Sequence, residues 1–160
     1  ILAKRAGKLT HHAPYTTHHT IHTHTRANVA VASMASGLLP LSQHSLQFFE
    51  RTSYHDYDRH TDEMKRLQID LGQNWAMMLR NHGVLVAGRT VSEAFQFTQR
   101  LEIACQIQVD VGSNSDLTFI KDEVARHSAE KYEQQGNSIG DRSWPAYLRK
   151  LDRMDPSYKD

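Results

Sequence analysis

Residues 20–24, Thr-Ile-His-Thr-His, are rich in β-branched side chains and predict a short strand. The small-residue run from Thr25 to Ser36 predicts a helix, with Thr25 at its N-cap and Gly37 at C′. Leu38-Leu39-Pro40-Leu41 breaks that helix and leads into an irregular stretch. From Asp62 to about Gly72, Met64, Leu67 and Leu71 recur at the 3–4 spacing of a helix. Met77-Met78-Leu79-Arg80 and Val84-Leu85-Val86-Ala87 read as strand segments flanking Asn81-His82-Gly83, with a turn at Gly88-Arg89. Thr90-Val91-Ser92-Glu93 reads as a capping box. It opens a long helix to about Asp110, with Phe95, Leu101, Cys105 and Val109 predicted inward. Asp122 to Gln135 predicts a solvated helix. Trp144-Pro145, with the proline at N1, predicts the start of a last short helix that ends before Asp155-Pro156. Mixed strands and helices in one chain of 160 residues predict a single α/β or α+β domain over 1–160.

Composition narrows the function classes. Hydrophobic residues make up 39% and charged residues 23%, with a net charge of +1, so no basic stripe for nucleic acid is expected. No apolar run approaches the roughly 20 residues that span a bilayer, so no membrane partner is expected either. Cys105 is the only cysteine, which rules out an internal disulfide and predicts a reducing, cytoplasmic compartment. The opening Ile1-Leu2-Ala3-Lys4-Arg5 has neither an initiator Met nor a cleavable apolar leader, and reads as an incomplete N-terminal part. Histidine stands out. There are 11, and His11, His12, His18, His19, His22 and His24 crowd one short segment, while no Asp or Glu precedes Glu50. Such a segment can ligate a metal but cannot supply a carboxylate acid or base.

His22 and His24 are two apart, and on a strand residues i and i+2 project from one face, so both imidazoles can converge on one point. Three imidazole ligands plus an open position mark a catalytic zinc-type site. His82 is the candidate third ligand, because it lies at a strand break and precedes Gly83, which leaves room for close approach. A pair of solvent-facing or hydrogen-bonded histidines fits the same spacing, and composition does not separate the two.

Four ordered blocks carry a resemblance that does. Ile21-His22-Thr23-His24-Thr25, Gly37-Leu38-Leu39-Pro40-Leu41-Ser42, Tyr54-His55-Asp56-Tyr57 and Leu79-Arg80-Asn81-His82-Gly83-Val84-Leu85 resemble the class II aldolase/adducin family. Arg149-Lys150-Leu151-Asp152-Arg153 and Asp155-Pro156-Ser157-Tyr158 are similar to the tail of its bacterial members. The resemblance implies a three-layer α/β/α domain with a central, mainly antiparallel sheet. It also implies a divalent metal held by His22, His24 and His82, usually zinc, with manganese, cobalt or iron as alternatives. A homo-oligomer, dimer or tetramer, comes with it.

The chain departs from the family where chemistry is concerned. Sugar-phosphate aldolases carry a general acid/base Glu about twenty residues before H-x-H, a place that falls near Ala3 here. Ala6-Gly7 and His12-Ala13-Pro14-Tyr15 resemble family text but lie too close to His22. The family's Tyr after the proline has no counterpart, and His44 lies nearest. Tyr158 resembles the tail Tyr that reaches a neighbouring subunit's site. His44 and Tyr158 are therefore the catalytic candidates, as proton donors. His55 and Asp56, adjacent on a strand, point to opposite faces and fit a structural role. Glu102 is expected solvated or ion-paired, His18 and His19 at the surface, and Trp75 and Trp144 in the core or an interface.

These residues predict a metal-dependent carbon–carbon lyase, aldolase or decarboxylase, acting on a small substrate with adjacent oxygens: a hydroxylated aromatic acid, a 2-oxo acid or a hydroxy-ketone. With no carboxylate before Glu50, a carboxylated substrate is expected over a sugar phosphate. Two alternatives stand beside this: a non-catalytic adducin-like interaction module, and a sugar-phosphate aldolase or epimerase.

Overall fold

Strands β1 (His19–Thr23), β2 (Thr52–His55), β3 (Ala76–Leu79) and β4 (Gly83–Gly88) form one sheet in the order β1-β4-β3-β2. The computed structural model describes residues 19–57, 62–112, 116–135 and 138–159. The expectations for His11, His12 and His18, and for the stretches 6–7 and 12–15, lie outside them. β4 pairs antiparallel with both β1 and β3, while β2 joins β3 in parallel. The sheet is thus mainly antiparallel, as expected. The parallel pair is joined through helix α3 (Glu63–Leu71), and a helical crossover is what a parallel connection requires.

Helices α1 (Arg26–Ala32) and α4 (Val91–Val111) pack together and against β4, and α4 also touches β1. Between them and the sheet lies the core: Val31, Phe48, Trp75, Met78, Val84, Val86, Phe97, Leu101 and Cys105. Trp75 and Phe48 both meet Phe97 edge-on, with ring centroids 5.5 and 6.5 Å away. Burying each large side chain stabilises the fold by about 1.5–3 kcal/mol. Tyr54 packs on this core, so the next residue, His55, points to the other face, where it meets α3. With helices on both faces, β3 is buried at all four positions.

The chain folds differently from expectation in several places. The helix after β1 keeps Thr25 as its N-cap, accepting from Asn28 N, but stops at Ala32 with Ser33 as C-cap. Gly37 is left in the left-handed region at φ 65°, where any Cβ would strike the Tyr54 ring. The stretch expected to be irregular contains α2 (Gln43–Leu46) and β2. Helix α3 buries none of its residues, and Met64 is 75% exposed. In α4, Phe97 enters the core while Phe95 faces Trp144 and Tyr147. Those two belong to α6 (Ser138–Met154), which follows α5 (Asp122–Gln135) and precedes a 3₁₀ turn at Pro156–Lys159.

Pro145 lies inside α6 rather than at its start. The earlier turns of α6 dock on the start of α4. Gly140 sits so close to Ser92 and Glu93 that a Cβ would meet their backbone at 2.8 Å, and the Ser92 hydroxyl donates to Asp141 at 2.7 Å. An interior proline costs a helix roughly 3 kcal/mol, and these contacts lie one turn before Pro145. No described helix is long and apolar enough to cross a membrane.

Candidate metal centre

His22 lies on β1, an edge strand, and its alternation with Thr23 turns the imidazole away from the core. Thr23 and Thr25 hold the histidine segment from behind. The Thr23 hydroxyl accepts from Asn28 Nδ2 at 3.0 Å, and the Thr25 hydroxyl donates to Glu102 at 2.5 Å. Glu102 is half-buried. It ties the turn after His24 to α4, and it also accepts from Gln106.

The third histidine arrives on the three-residue turn Arg80-Asn81-His82 between β3 and β4, where Leu79 pairs with Gly83. Asn81 takes φ 58°, a left-handed conformation asparagine tolerates. Arg80 anchors the turn. Its backbone N–H donates to the His55 carbonyl at 2.8 Å, and its guanidinium donates to Met34 O while lying over the Tyr54 ring. Gly83 is required by close approach, since a Cβ there would lie 2.3 Å from Thr23 O and 3.0 Å from the His24 ring.

The three rings meet edge to face, with centroids 4.4, 4.5 and 5.1 Å apart. One nitrogen from each falls within 4.8 Å of the others, and they are the one such group of metal-ligating side chains among the described residues. His22 Nδ1 lies 2.8 Å from the Val84 carbonyl, an acceptor, so that nitrogen carries the proton. Nε2 is then left with a free lone pair aimed at His24 Nε2, 2.5 Å away. Nitrogens converging in this way need a proton or a cation between them. Burial first, and then the neighbouring His24 and His22, lower the His82 pKa and favour the neutral, ligating form. The donor set, the imposed His22 tautomer and the accessible rings fit a zinc-type ion with an open position.

Of two residues that sequence reasoning did not single out, one stands beside the trio and the other beside His55. The Tyr57 ring meets His82 at 5.8 Å and is 55% exposed. Its block was visible in the sequence, but its direction depends on where β2 ends. Glu63, at the start of α3, brings its Oε1 to 3.9 Å from His55 Nε2. No sequence signal pointed to it. His55 pairs with Asp70 at 2.7 Å, not with exposed Asp56. His44 lies on α2, which packs on α4 and α5, and Tyr158 donates to Asp152 at 2.6 Å. Among the described residues, no hydrogen bond or ring contact joins either of them to the trio. Trp75 is buried, Trp144 packs on Phe95, and His19 is exposed.

A family profile described as Class II Aldolase and Adducin N-terminal domain matches residues 5–109. A Caulobacter vibrioides protein bearing a provisional aldolase class 2 name is 40% identical over 155 residues, 94% of this chain and 60% of that protein. The crystal structure of an aldolase II superfamily protein from Pseudomonas syringae is 40% identical with a TM-score of 0.82. It covers 88% of this chain and 59% of its own. Human gamma-adducin is 43% identical over 93 residues, 56% of this chain and 13% of its own length. The chain therefore spans about three fifths of the length of its first relatives.

Proposed function

The chain belongs to the class II aldolase and adducin family, and from that premise we propose that it is a divalent-metal-dependent carbon–carbon lyase whose ion is held by His22, His24 and His82. The convergence of those three imidazoles carries the reading. The ion is zinc in the first instance. When bound, it supplies Lewis acidity to a substrate that presents two adjacent oxygens. Hydroxy-ketones, 2-oxo acids and hydroxylated aromatic acids have that chemistry.

The protein's own groups do the rest. Val84 O holds the His22 tautomer, the Gly83 backbone lets the strands close, and Arg80 fixes the turn that presents His82. Tyr57 offers an aromatic wall beside His82. Aldol cleavage and decarboxylation are the two forms this lyase takes. The first needs a base at a hydroxyl, an effect worth about 10²–10⁴-fold in rate, and the second needs only a later proton donor.

The chain acts as a homo-oligomer in this reading. His44 and Tyr158 serve as proton donors only if a neighbouring subunit carries them into the site. Sedimentation at micromolar concentration should then show an oligomer, and a fully active monomer rejects that role for both.

The second reading, a non-catalytic module, draws on the likeness to gamma-adducin. Metal analysis of the purified protein separates the two, since an interaction module needs no ion. A parallel screen of sugar phosphates and carboxylated substrates, following aldehyde formation and carbon dioxide release, then tests the reaction. One metal ion per chain with turnover in either arm is expected. Purified protein that neither holds nor takes up zinc overturns the lyase reading.

A further inference from the structure

Three of the four strands run in one direction. β4 is antiparallel to both β1 and β3, and β2 is parallel to β3, so β1, β2 and β3 share a heading. Their carboxyl ends therefore lie along one end of the sheet. β1 delivers His22 and His24 there, and the turn after β3 delivers His82. β2 ends there too, at His55, paired with Leu79. Tyr57 follows two residues after that pair, as His82 follows Leu79 by three.

Tyr57 is placed by the same bonds that place the ligand turn. The Arg80 backbone N–H donates to the His55 carbonyl at 2.8 Å, tying the two strand ends together. From α3, the Arg66 guanidinium donates to the Asp56 carbonyl at 3.4 Å. Both residues ahead of Tyr57 are thus held by their main chain. The ring that follows meets His82 almost at right angles, with centroids 5.8 Å apart and planes at 87°. In such a pair the positive edge of one ring lies against the negative face of the other. Tyr57 nevertheless stays 55% exposed, so more than half of a stiff aromatic residue is open beside a ligand histidine.

We infer that Tyr57 is a specificity-determining residue of the three-histidine site and selects substrates that carry an aromatic ring beside their chelating oxygens. The inference rests on the metal-dependent lyase reading and narrows its substrates to the aryl-bearing ones. The physical reason is a difference between rings and alkyl groups. Any apolar group packed on Tyr57 gains by burying area. A second ring gains the edge-and-face contact as well, worth about 2–10-fold in affinity. Tyrosine supplies that contact at low entropic cost, since only two torsions must be fixed. Changing it should therefore alter which substrate is taken, and leave the ion held as before.

Mandelate and lactate separate these effects, because they share the chelating 2-hydroxy acid and differ only in phenyl against methyl. Titration calorimetry on the whole zinc-loaded chain should show the tighter binding for mandelate. Tyr57→Leu, which keeps an apolar side chain, should lose about 2–10-fold of mandelate affinity, with lactate affinity and zinc content unchanged. Tyr57→Phe should keep the preference, since the ring does the selecting. In protein with ring-labelled tyrosine, mandelate should shift the Tyr57 resonances and lactate should leave them in place. Equal affinity for the two acids in the wild type, binding of neither, or an unchanged mandelate-to-lactate ratio in Tyr57→Leu overturns the inference and leaves the lyase reading standing. Loss of zinc in Tyr57→Leu assigns the ring to holding His82 and overturns the inference as well. No zinc uptake by the wild type overturns the lyase reading itself.

Discussion

The ring of His22 is held by the backbone of Val84: Nδ1–H donates to that carbonyl across 2.8 Å, in the strand pair where Thr23 lies opposite Val84. A bond to main chain survives any change of side chain at Val84. The His22 tautomer is thus a property of the β1–β4 register, and Nε2 is committed to whatever sits among the three histidines. A metal-ligating histidine is commonly oriented through its other nitrogen in this way.

One divalent ion per chain is expected in protein loaded with zinc and measured by elemental analysis. His22→Ala, His24→Ala and His82→Ala should each lose most of it. Chelation should lower the melting temperature, because an ion at 100 times its dissociation constant stabilises the folded state by about 2.7 kcal/mol. Full occupancy in any two variants rejects the assignment.

Gly83→Ala should damage fold and site together. The new Cβ would lie 2.3 Å from Thr23 O, and backbone cannot yield as a flexible side-chain end does. A cost of about 1–3 kcal/mol in urea unfolding is expected, with reduced zinc binding. Unchanged stability and unchanged zinc would show that β1 can move aside freely.

Glu93 is 1% exposed on its side chain and accepts from both the backbone and the guanidinium of Arg89. Glu93→Ala should destabilise by about 1.5–3 kcal/mol, with the loss limited because Arg89 can turn to water. Glu93→Gln should restore part of it. Equal denaturation midpoints for wild type and Glu93→Ala would contradict the pairing.

Burial pushes the Cys105 thiol up from 9.0 to about 12, with a small added push from Glu102. The folded chain therefore keeps its proton where the unfolded chain has lost it. The stability this contributes is whole below pH 9 and is lost as pH rises towards 12. At pH 8, labelling by a thiol reagent should be slow in the native protein and fast in urea. Equal rates would place the thiol in solvent.

Much of this protein was legible because it depends on neighbours in the chain. The period of two in His22-Thr23-His24, the Thr25 cap and the Thr90 cap on Glu93 N all follow from backbone geometry over a few residues. Even the capping box was half redirected by its surroundings, since the Glu93 carboxylate accepts from Arg89 N rather than from its own cap residue. Phe97 displaced Phe95 from the core because α6 packs on the other side of α4, and Pro145 sits mid-helix because Gly140 and Asp141 dock on Ser92. Periodicity within one segment holds no information about which segment will cover it.

The site divides along the same line. The amino-acid sequence by itself determined the three imidazoles and the glycine that lets them close. Only the tertiary structure decided that Tyr57 stands by His82 and Glu63 by His55. That neighbourhood depends on β2 pairing in parallel with β3 and on α3 crossing between them, contacts that no local spacing encodes.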